Sequence, residues 1–220
     1  MSRASVGGPV LRSGWGMALA IQGALGAAAC ADAQPTPTPA QQVLIVAEHD
    51  TSTTGRLFRF ELDEGRWESV GSGVPVAFGR SGVGEKREGD GKSPAGVFTL
   101  GPAFGYAPSP PAGLRLSYLP LEPTAVCVDD PASPDYNRIL NPPSPAEEAG
   151  YESGERMRRD LAYGDGLYEF GVEVRYNAEG ESDPNTGRGL GSCIFLHVWR
   201  GAGRPTAGCT AMSRDAMVEL

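Results

Sequence analysis

The chain has 220 residues, the size of one ordinary domain or of one domain with an appendage. It carries 19 Lys and Arg against 27 Asp and Glu, and the net charge of −8 argues against a polybasic nucleic-acid binder. With 31 Gly and 19 Pro, the composition is unlike a helical bundle and indicates many turns and short strands. Because the chain has only 2 His, chemistry that needs an imidazole must use His49 or His197.

Residues 1–33 have the pattern of an export signal. Positive charge at Arg3 and Arg12 precedes an uncharged apolar run, 15–29, which is too short for a membrane span. Small residues follow this run, and we expect cleavage after Ala33. Cleavage before Cys30 is the alternative, and it would leave a cysteine for lipid attachment and membrane anchoring. Residues 34–42 (QPTPTPAQQ) then predict an extended Pro/Thr-rich spacer.

From residue 43 to residue 220, the sequence predicts a mainly β domain. The predicted strands cover 43–47, 56–62, a short segment around Trp67, 97–100, 114–119, 168–176 and 193–198. Helical patterns are scarce: one is predicted within 154–163 and one from Ser213 onward, with Ser213 as its N-cap. This spacing of strands and turns indicates an all-β sheet or barrel.

Two polar loops stand out between the predicted strands. Residues 79–96 place seven charges among glycines, which indicates either a flexible solvated turn or a shaped loop built on Asp90 and Pro94. The loop lacks the GxxxxGK[ST] spacing of a phosphate-binding loop. Residues 127–141 include Asp129, Asp130 and Asp135, which predict a solvated acidic loop, with a cation site as the alternative.

The candidate catalytic residues lie near the C-terminal end of the chain. His197 lies near the end of an apolar run, and Cys209 follows Gly208 in a Gly/Pro-rich loop 12 residues later. Such a loop can return the thiol to the imidazole, which would increase the fraction of reactive thiolate. Backbone N–H groups around Cys209 could stabilise an oxyanion, and a helix starting beyond Ser213 would add a favourable field. The pattern predicts a Cys–His acyl-transfer site whose coupled pair favours the thiolate.

The cysteine count supports a free nucleophile. Once Cys30 is lipidated or removed, three cysteines remain, so one of them has no partner within the chain. Exported proteins commonly pair their cysteines, and we expect a disulfide between Cys127 and Cys193 that leaves Cys209 free.

A zinc site is the rival hypothesis from another class. Three thiolates and one imidazole form a permissible ligand set, here Cys127, Cys193, His197 and Cys209. The absence of a CxxC knuckle and the predicted export both argue against it, so no metal is expected. His49 has no Gly-Cys loop beside it and is expected to be structural.

Two motifs resemble the L,D-transpeptidase catalytic domain family. Residues 89–98 (GDGKSPAGVF) fit the family pattern G-D-x-x-[ST]-P-x-G-x-[FY], and residues 206–209 (TAGC) fit [ST]-x-G-C after a histidine. The resemblance covers residue 43 to the end and implies a mainly β sandwich or barrel with short helices. It implies Cys209 as nucleophile and His197 as proton donor and acceptor, with Gly208 and Thr206 beside the oxyanion hole. No cofactor and no nucleic-acid partner are implied.

The sequence departs from the common form of the nucleophile motif. The family carries His before the Gly and Arg two residues after the Cys, whereas this P-T-A-G-C branch has Ala207 and Ala211. With that arginine replaced, Arg200 and Arg204 are the expected substrate-binding cations, and Thr210 is a further candidate beside the nucleophile. The chain ends 11 residues after Cys209. Because family members usually continue through a further strand, we expect a C-terminal truncation.

The resemblance implies acyl transfer on peptidoglycan stem peptides in the periplasm or cell wall. Cys209 would attack the carbonyl of the third stem residue, release D-alanine and form a thioester, and an amine of a second stem would complete a 3→3 cross-link. Water as the acceptor would make the protein an L,D-carboxypeptidase or an amidase that releases wall-linked proteins. A non-catalytic wall-binding module is the other alternative.

Overall fold

A computed structural model describes residues 41–142, 150–185, 187 and 189–220. The mainly β fold class predicted from the sequence is confirmed, because the described residues form thirteen strands and only two short helices. The predicted signal peptide with Cys30, and the spacer up to residue 40, lie outside the described residues.

The strands are short except near the N-terminal end of the described chain. They are β1 Gln41–Ala47, β2 Thr54–Asp63, β3 Arg66–Ala77, β4 Val83–Gly84, β5 Ser93–Pro94, β6 Leu100–Gly105, β7 Tyr118–Pro120, β8 Val126–Val128, β9 Ile139–Leu140, β10 Gly154–Arg156, β11 Phe170–Val174, β12 Phe195–Val198 and β13 Thr210–Met212. The helices are α1 Arg159–Tyr163 and α2 Arg214–Glu219. The Ser213 side chain accepts a hydrogen bond from the N–H of Ala216, so the predicted cap of α2 is present.

Eight strands form the main sheet in the order β1-β2-β3-β13-β12-β11-β6-β7. The pairs β12–β13 and β6–β7 are parallel, and the other neighbours in this sheet are antiparallel. The strands β10-β8-β9 form a second, antiparallel sheet, and β4 pairs with β5 in parallel. The main sheet thus brings β12 and β13, which come late in the chain, into its centre.

The main sheet separates two apolar clusters. On one face, Leu196 and Met212 pack with Met217 of α2. The other cluster contains Phe195 and Cys209, together with residues of β8 and β6. Because side chains alternate along a strand, His197 shares the face of Phe195 and not that of Leu196. The two catalytic candidates therefore lie on the face opposite α2.

The structure differs from the predicted elements at several boundaries. Strand β6 begins at Leu100, where a strand over 97–100 was expected, and Val97 is fully exposed. The segment 154–163 is not one helix: its first part, β10, pairs with β8, and only Arg159–Tyr163 is helical. Of the predicted strand 114–119, only the end enters β7. Strand pairing with distant segments decides these cases, because β structure depends on its neighbours more than on local sequence.

The first strand begins two residues earlier than the predicted start of the domain at residue 43. Gln41 and Gln42, expected in the spacer, belong to β1 and pair with Glu61 and Phe60 of β2. The Gln41 side-chain amide donates a hydrogen bond of 2.7 Å to Glu61. These contacts extend the edge strand by two residues.

Candidate active site

Parallel pairing of β12 and β13 brings the two catalytic candidates together. Leu196 pairs with Thr210 and His197 pairs with Ala211, so Cys209 enters β13 level with Phe195. His197 lies two residues further along the same face of β12. Both Cys209 and His197 line one cavity of about 500 Å³.

The Cys209 thiol is buried and has two backbone partners. Its Sγ–H donates to the carbonyl oxygen of Cys193 at 3.2 Å, and the N–H of Phe195 donates to Sγ at 3.3 Å. Cys209 is the free cysteine among those described. In this arrangement the thiol proton is directed to the Cys193 carbonyl.

The His197 imidazole is buried and held in one tautomer. Its Nδ1 lies 2.7 Å from the carbonyl oxygen of Val198, which can only accept, so Nδ1 carries the hydrogen. Nε2 then keeps its lone pair and can act as a proton acceptor. The Tyr168 ring meets the imidazole edge-on, with centroids 5.2 Å apart, and restricts its rotation. His49, in contrast, is exposed and lies outside this site.

Burial makes the resting pair neutral, which differs from the thiolate expected from the sequence. It raises the pKa of the Cys209 thiol to about 12, and the charge of Glu155 acts in the same direction. Burial lowers the pKa of His197 to about 4, assisted by the nearby charges of Arg159 and Arg200. At neutral pH the site therefore holds a thiol and an uncharged imidazole.

Two hydroxyls fix the backbone of the nucleophile loop. Thr206 Oγ1 donates to the carbonyl oxygen of Cys209 at 2.6 Å and accepts the N–H of Gly208 at 3.1 Å. The buried Ser93 hydroxyl also donates to the Cys209 carbonyl, at 3.0 Å, and accepts the N–H of Gly79. Because the Gly208 N–H is already bonded, it is not free to meet an oxyanion in this conformation. Thr206 thus acts on the loop backbone.

Both positively and negatively charged side chains line the cavity. The cationic lining residues are Arg80, Arg159, Arg200 and Arg204. The acidic ones are Glu88, Asp129 and Glu155. Arg200 and Arg204, the predicted substrate-binding residues, are exposed and line the cavity. Thr210, also predicted, is buried in β13 opposite Leu196 and is not among the lining residues, because alternation directs it away from the site face.

A disulfide lies directly beside the nucleophile. In the structure, Cys127 of β8 is bonded to Cys193, whose carbonyl accepts a hydrogen bond from the Cys209 thiol. The bond uses two of the four side chains of the rival zinc set, so that set cannot bind zinc in this state. Within the described ranges, no group of three or more His, Cys, Asp or Glu side chains is arranged to hold a metal ion.

The carboxylates of the predicted acidic loop have separate roles. Asp130 accepts the N–H groups of Ala132 and Glu152, and Asp135 pairs with Arg138. Asp129 lines the cavity instead. These contacts describe a structured loop with its carboxylates apart.

Sequence reasoning missed a polar network on the wall of the cavity. Tyr168 donates to Glu155 at 2.7 Å, and Arg159 makes two hydrogen bonds to Asp165, of 2.9 and 2.7 Å. Burial raises the pKa of Glu155 despite the hydrogen bond from Tyr168. The residues come from β10, α1 and the segment before β11, and no local motif marks them. Tyr168 contacts His197, and Glu155 and Arg159 line the same cavity, so only the folded chain identifies them.

The family comparison agrees with this site. Residues 44–220 match the model of the L,D-transpeptidase catalytic domain, YkuD. The chain belongs to this L,D-transpeptidase family. The match covers well over half of the chain and includes both sequence motifs and the cavity. No curated protein and no solved structure matches the chain.

Family membership makes this L,D-transpeptidase-type protein an enzyme that acts on peptidoglycan. Its place in the family agrees with the mainly β fold and the short helices. In the part of the chain that the structure describes, neither helix is long and apolar enough to cross a membrane.

Proposed function

We propose that this L,D-transpeptidase is an exported cysteine acyltransferase that forms 3→3 cross-links through a thioester on Cys209. The observation that carries the proposal is a free, buried thiol that shares a cavity with an uncharged imidazole, that of His197. A neutral imidazole with a free Nε2 is the form that can accept a thiol proton. The family supplies the substrate class, peptidoglycan stem peptides.

Acylation begins with transfer of the Cys209 proton to Nε2 of His197. The sulfur attacks the carbonyl carbon of the third stem residue, and the carbonyl electrons move onto oxygen. When the tetrahedral intermediate collapses, the C–N bond to D-alanine breaks. The leaving nitrogen takes the proton from His197, which leaves a thioester and a neutral imidazole.

In deacylation, a second nucleophile attacks the thioester, and His197 carries a proton from this nucleophile back to the sulfur. An amine of a second stem attacks the thioester carbonyl, and His197 takes the proton that the nitrogen loses. The C–S bond breaks, the proton passes to sulfur and Cys209 is restored. Arg200 and Arg204, which line the cavity and are exposed, would bind the carboxylates of the stems. No metal or organic cofactor enters this sequence of steps.

Hydrolysis is the competing outcome of the same first half-reaction. Arg200 and Pro205 line the cavity and are exposed to solvent, so water would have access to a thioester formed there. The protein would then be an L,D-carboxypeptidase or an amidase that releases wall proteins. A wall-binding module without catalysis would need neither the free thiol nor the oriented imidazole.

The test is incubation of the full purified chain with disaccharide tetrapeptide, followed by mass spectrometry. We expect a cross-linked dimer, released D-alanine and a covalent adduct on Cys209. Cys209→Ala should abolish all three, and Cys209→Ser should reduce turnover by orders of magnitude, because an alcohol is a far weaker nucleophile at neutral pH. Tripeptide without dimer would support the hydrolase, and full turnover in Cys209→Ala would reject the thioester mechanism.

Export and anchoring are proposed from the N-terminal sequence. The mature protein, recovered after expression with its leader, should begin after residue 33, or should carry lipid on Cys30. Its intact mass distinguishes the two outcomes, with Cys30→Ser as the control for lipidation. An unprocessed chain that stays inside the cell would contradict export.

A further inference from the structure

Lys86 is a buried cation beneath the nucleophile loop. Its side chain is 3% exposed, although lysine is rarely buried to this extent without a specific partner. Its Nζ donates to Asp90 Oδ1 at 3.1 Å. Because an ammonium loses much hydration energy on burial, a lysine kept in this position suggests a function of its charge.

Asp90 holds this ammonium and shapes the loop around it. The carboxylate also accepts the N–H of Arg87 at 2.6 Å and the N–H of Lys92 at 2.9 Å. Burial opposes ionisation of Asp90, but these hydrogen bonds outweigh it and lower its pKa, so the carboxylate is charged. Oδ1 is shared between Lys86 and the Lys92 N–H.

The ammonium lies against the residue that precedes the nucleophile. A Cβ built on Gly208 would come within 2.8 Å of Lys86 Nζ and 3.0 Å of the Lys92 carbonyl oxygen. A side chain at position 208 would thus displace the lysine or the loop. Glycine at this position lets the ammonium approach the backbone that leads into Cys209.

We propose that Lys86, held by Asp90 behind Gly208, is a positioning residue that stabilises the negative charge forming on Cys209. The inference rests on the proposed function, in which Cys209 is the nucleophile. The small Ala211 stands beside His197 on β13 and brings no charge from that side. Lys86 supplies a cation from the opposite loop instead.

Several titratable groups face Cys209 and define its electrostatic balance. Glu155 on β10 disfavours the thiolate, and Lys86 favours it. His197 on β12 and Tyr168 before β11 are neutral at pH 7. Further charges on the cavity wall come from Arg80, Glu88, Asp129, Arg159, Arg200 and Arg204. Unlike the charged residues of the cavity wall, Lys86 lies under the nucleophile loop.

The test is the rate at which iodoacetamide alkylates Cys209 in the full purified chain with its disulfide intact. Below the pKa of the thiol, this rate is proportional to the thiolate fraction, so its ratio between variants at pH 9 reports a change in pKa. We expect Lys86→Met to react about tenfold more slowly, the effect of one pKa unit. Lys86→Arg should stay near wild type, because it retains the charge.

Two further variants separate charge from structure. Asp90→Asn removes the counter-charge, so Cys209 should react faster than in wild type. Lys92→Met removes a lysine of the same loop whose ammonium lies towards Gly84, and it should react like wild type. Opposite effects at Lys86 and Asp90 are not expected if the pair only holds the loop in shape, because both variants would then disturb it alike.

Unfolding does not imitate the result expected for Lys86→Met, whereas a faster Asp90→Asn supports the proposal only when that variant is folded. An unfolded chain would expose a thiol with an ordinary pKa of about 8.5 and would react faster, not more slowly. Circular dichroism identifies the folded variants. A folded Lys86→Met that reacts as fast as wild type would overturn the proposal. If that variant does not fold, a folded Asp90→Asn that reacts no faster than wild type would overturn it.

The alkylation assay uses no peptidoglycan, so it separates the two proposals. Loss of cross-linking with the expected Lys86 effects would overturn only the proposed reaction. Normal cross-linking with equal alkylation rates would overturn only the role of Lys86.

Discussion

At the scale of single residues, burial decides the protonation of the site. The Cys209 thiol, with a pKa of about 12, keeps its proton and donates a hydrogen bond to the Cys193 carbonyl, while His197, with a pKa of about 4, remains uncharged. The sequence spacing of the two residues suggested an ion pair, but spacing contains no information on burial. In the proposed mechanism, the thiol proton must therefore move from the Cys193 carbonyl to His197 before the sulfur can attack.

The neutral pair predicts an unusually low acidic limit of activity. Between the two pKa values the pair keeps its one transferable proton, so kcat/KM should fall only as pH approaches about 4, where His197 becomes protonated. An ordinary histidine would give a limit near 6.5. The measurement is kcat/KM for D-alanine release from pH 3.5 to 9. His197→Gln should lower the rate about 10²- to 10⁴-fold and remove this acidic limb.

The same group should make folding sensitive to acid. The unfolded imidazole binds a proton near pH 6.5, whereas the folded one does so only near 4, so stability falls as pH drops through this window. The full loss is about 3 kcal/mol below pH 4, for a pKa lowered from 6.5 to about 4. Urea unfolding at pH 7 and 4.5 measures the loss, with the exposed His49→Gln as the matched control. A pH dependence unchanged in His197→Gln would contradict the assignment.

At the scale of elements, the loop 79–96 supports the nucleophile loop through Ser93. This buried hydroxyl accepts the Gly79 N–H and donates to the Cys209 carbonyl. The segments are also joined by backbone hydrogen bonds between Arg80 and Thr206 and between Thr206 and Phe78. The motif that contains Ser93 therefore belongs to the site although it lies more than a hundred residues from Cys209 in sequence.

Ser93→Ala should lower the free energy of unfolding by about 1–3 kcal/mol, because it leaves the buried Gly79 N–H without its acceptor. The Cys209 carbonyl keeps Thr206, so we expect a reduced but measurable cross-linking rate. Urea unfolding followed by circular dichroism measures the change. Ser81→Ala, at an exposed position of the same loop, is the matched control and should stay within about 0.5 kcal/mol of wild type. Equal losses in both variants would count against the role of Ser93.

At the scale of the whole molecule, the disulfide connects the three-stranded sheet to the main sheet. It joins Cys127 of β8 to Cys193, two residues before β12, and the sequence separation is 66 residues. The same segment carries the carbonyl and the N–H that bind Cys209. The link therefore couples global stability to the position of the thiol.

Replacing both Cys127 and Cys193 by Ser should lower the free energy of unfolding by about 2–5 kcal/mol, because the unfolded chain loses its cross-link. The freed segment should also expose Cys209, which we expect to react faster with iodoacetamide. Guanidinium unfolding with and without reductant measures the first effect. The double variant is its own control, since reductant should not change its unfolding curve. Wild-type curves that are identical with and without reductant would contradict the prediction.

Patterns within short segments predicted much of the fold. Alternation located β2 and β11, apolar runs located β1 and β12, and Ser213 marked the start of α2. The prediction that the N-terminus of α2 would stabilise the thiolate of Cys209 was wrong. Strand β13 separates Cys209 from α2, and the helix covers the opposite face of the sheet. Strands β8, β9 and β10 were not predicted, because each has three residues or fewer and is stabilised by pairing with distant strands.

The sequence by itself determined the family, the mainly β class and the two residues on which the chemistry is proposed to rest. Cys209 and His197 stand in motifs whose residues are close in the chain, and local patterns can be recognised there. Only the tertiary structure decided that the pair rests neutral and that Lys86 lies under Gly208. It also decided that Glu155 and Arg159 line the cavity that holds the pair. Burial and charge arise from segments that are distant in sequence, so pKa values and long-range electrostatic partners become visible only when the chain is folded.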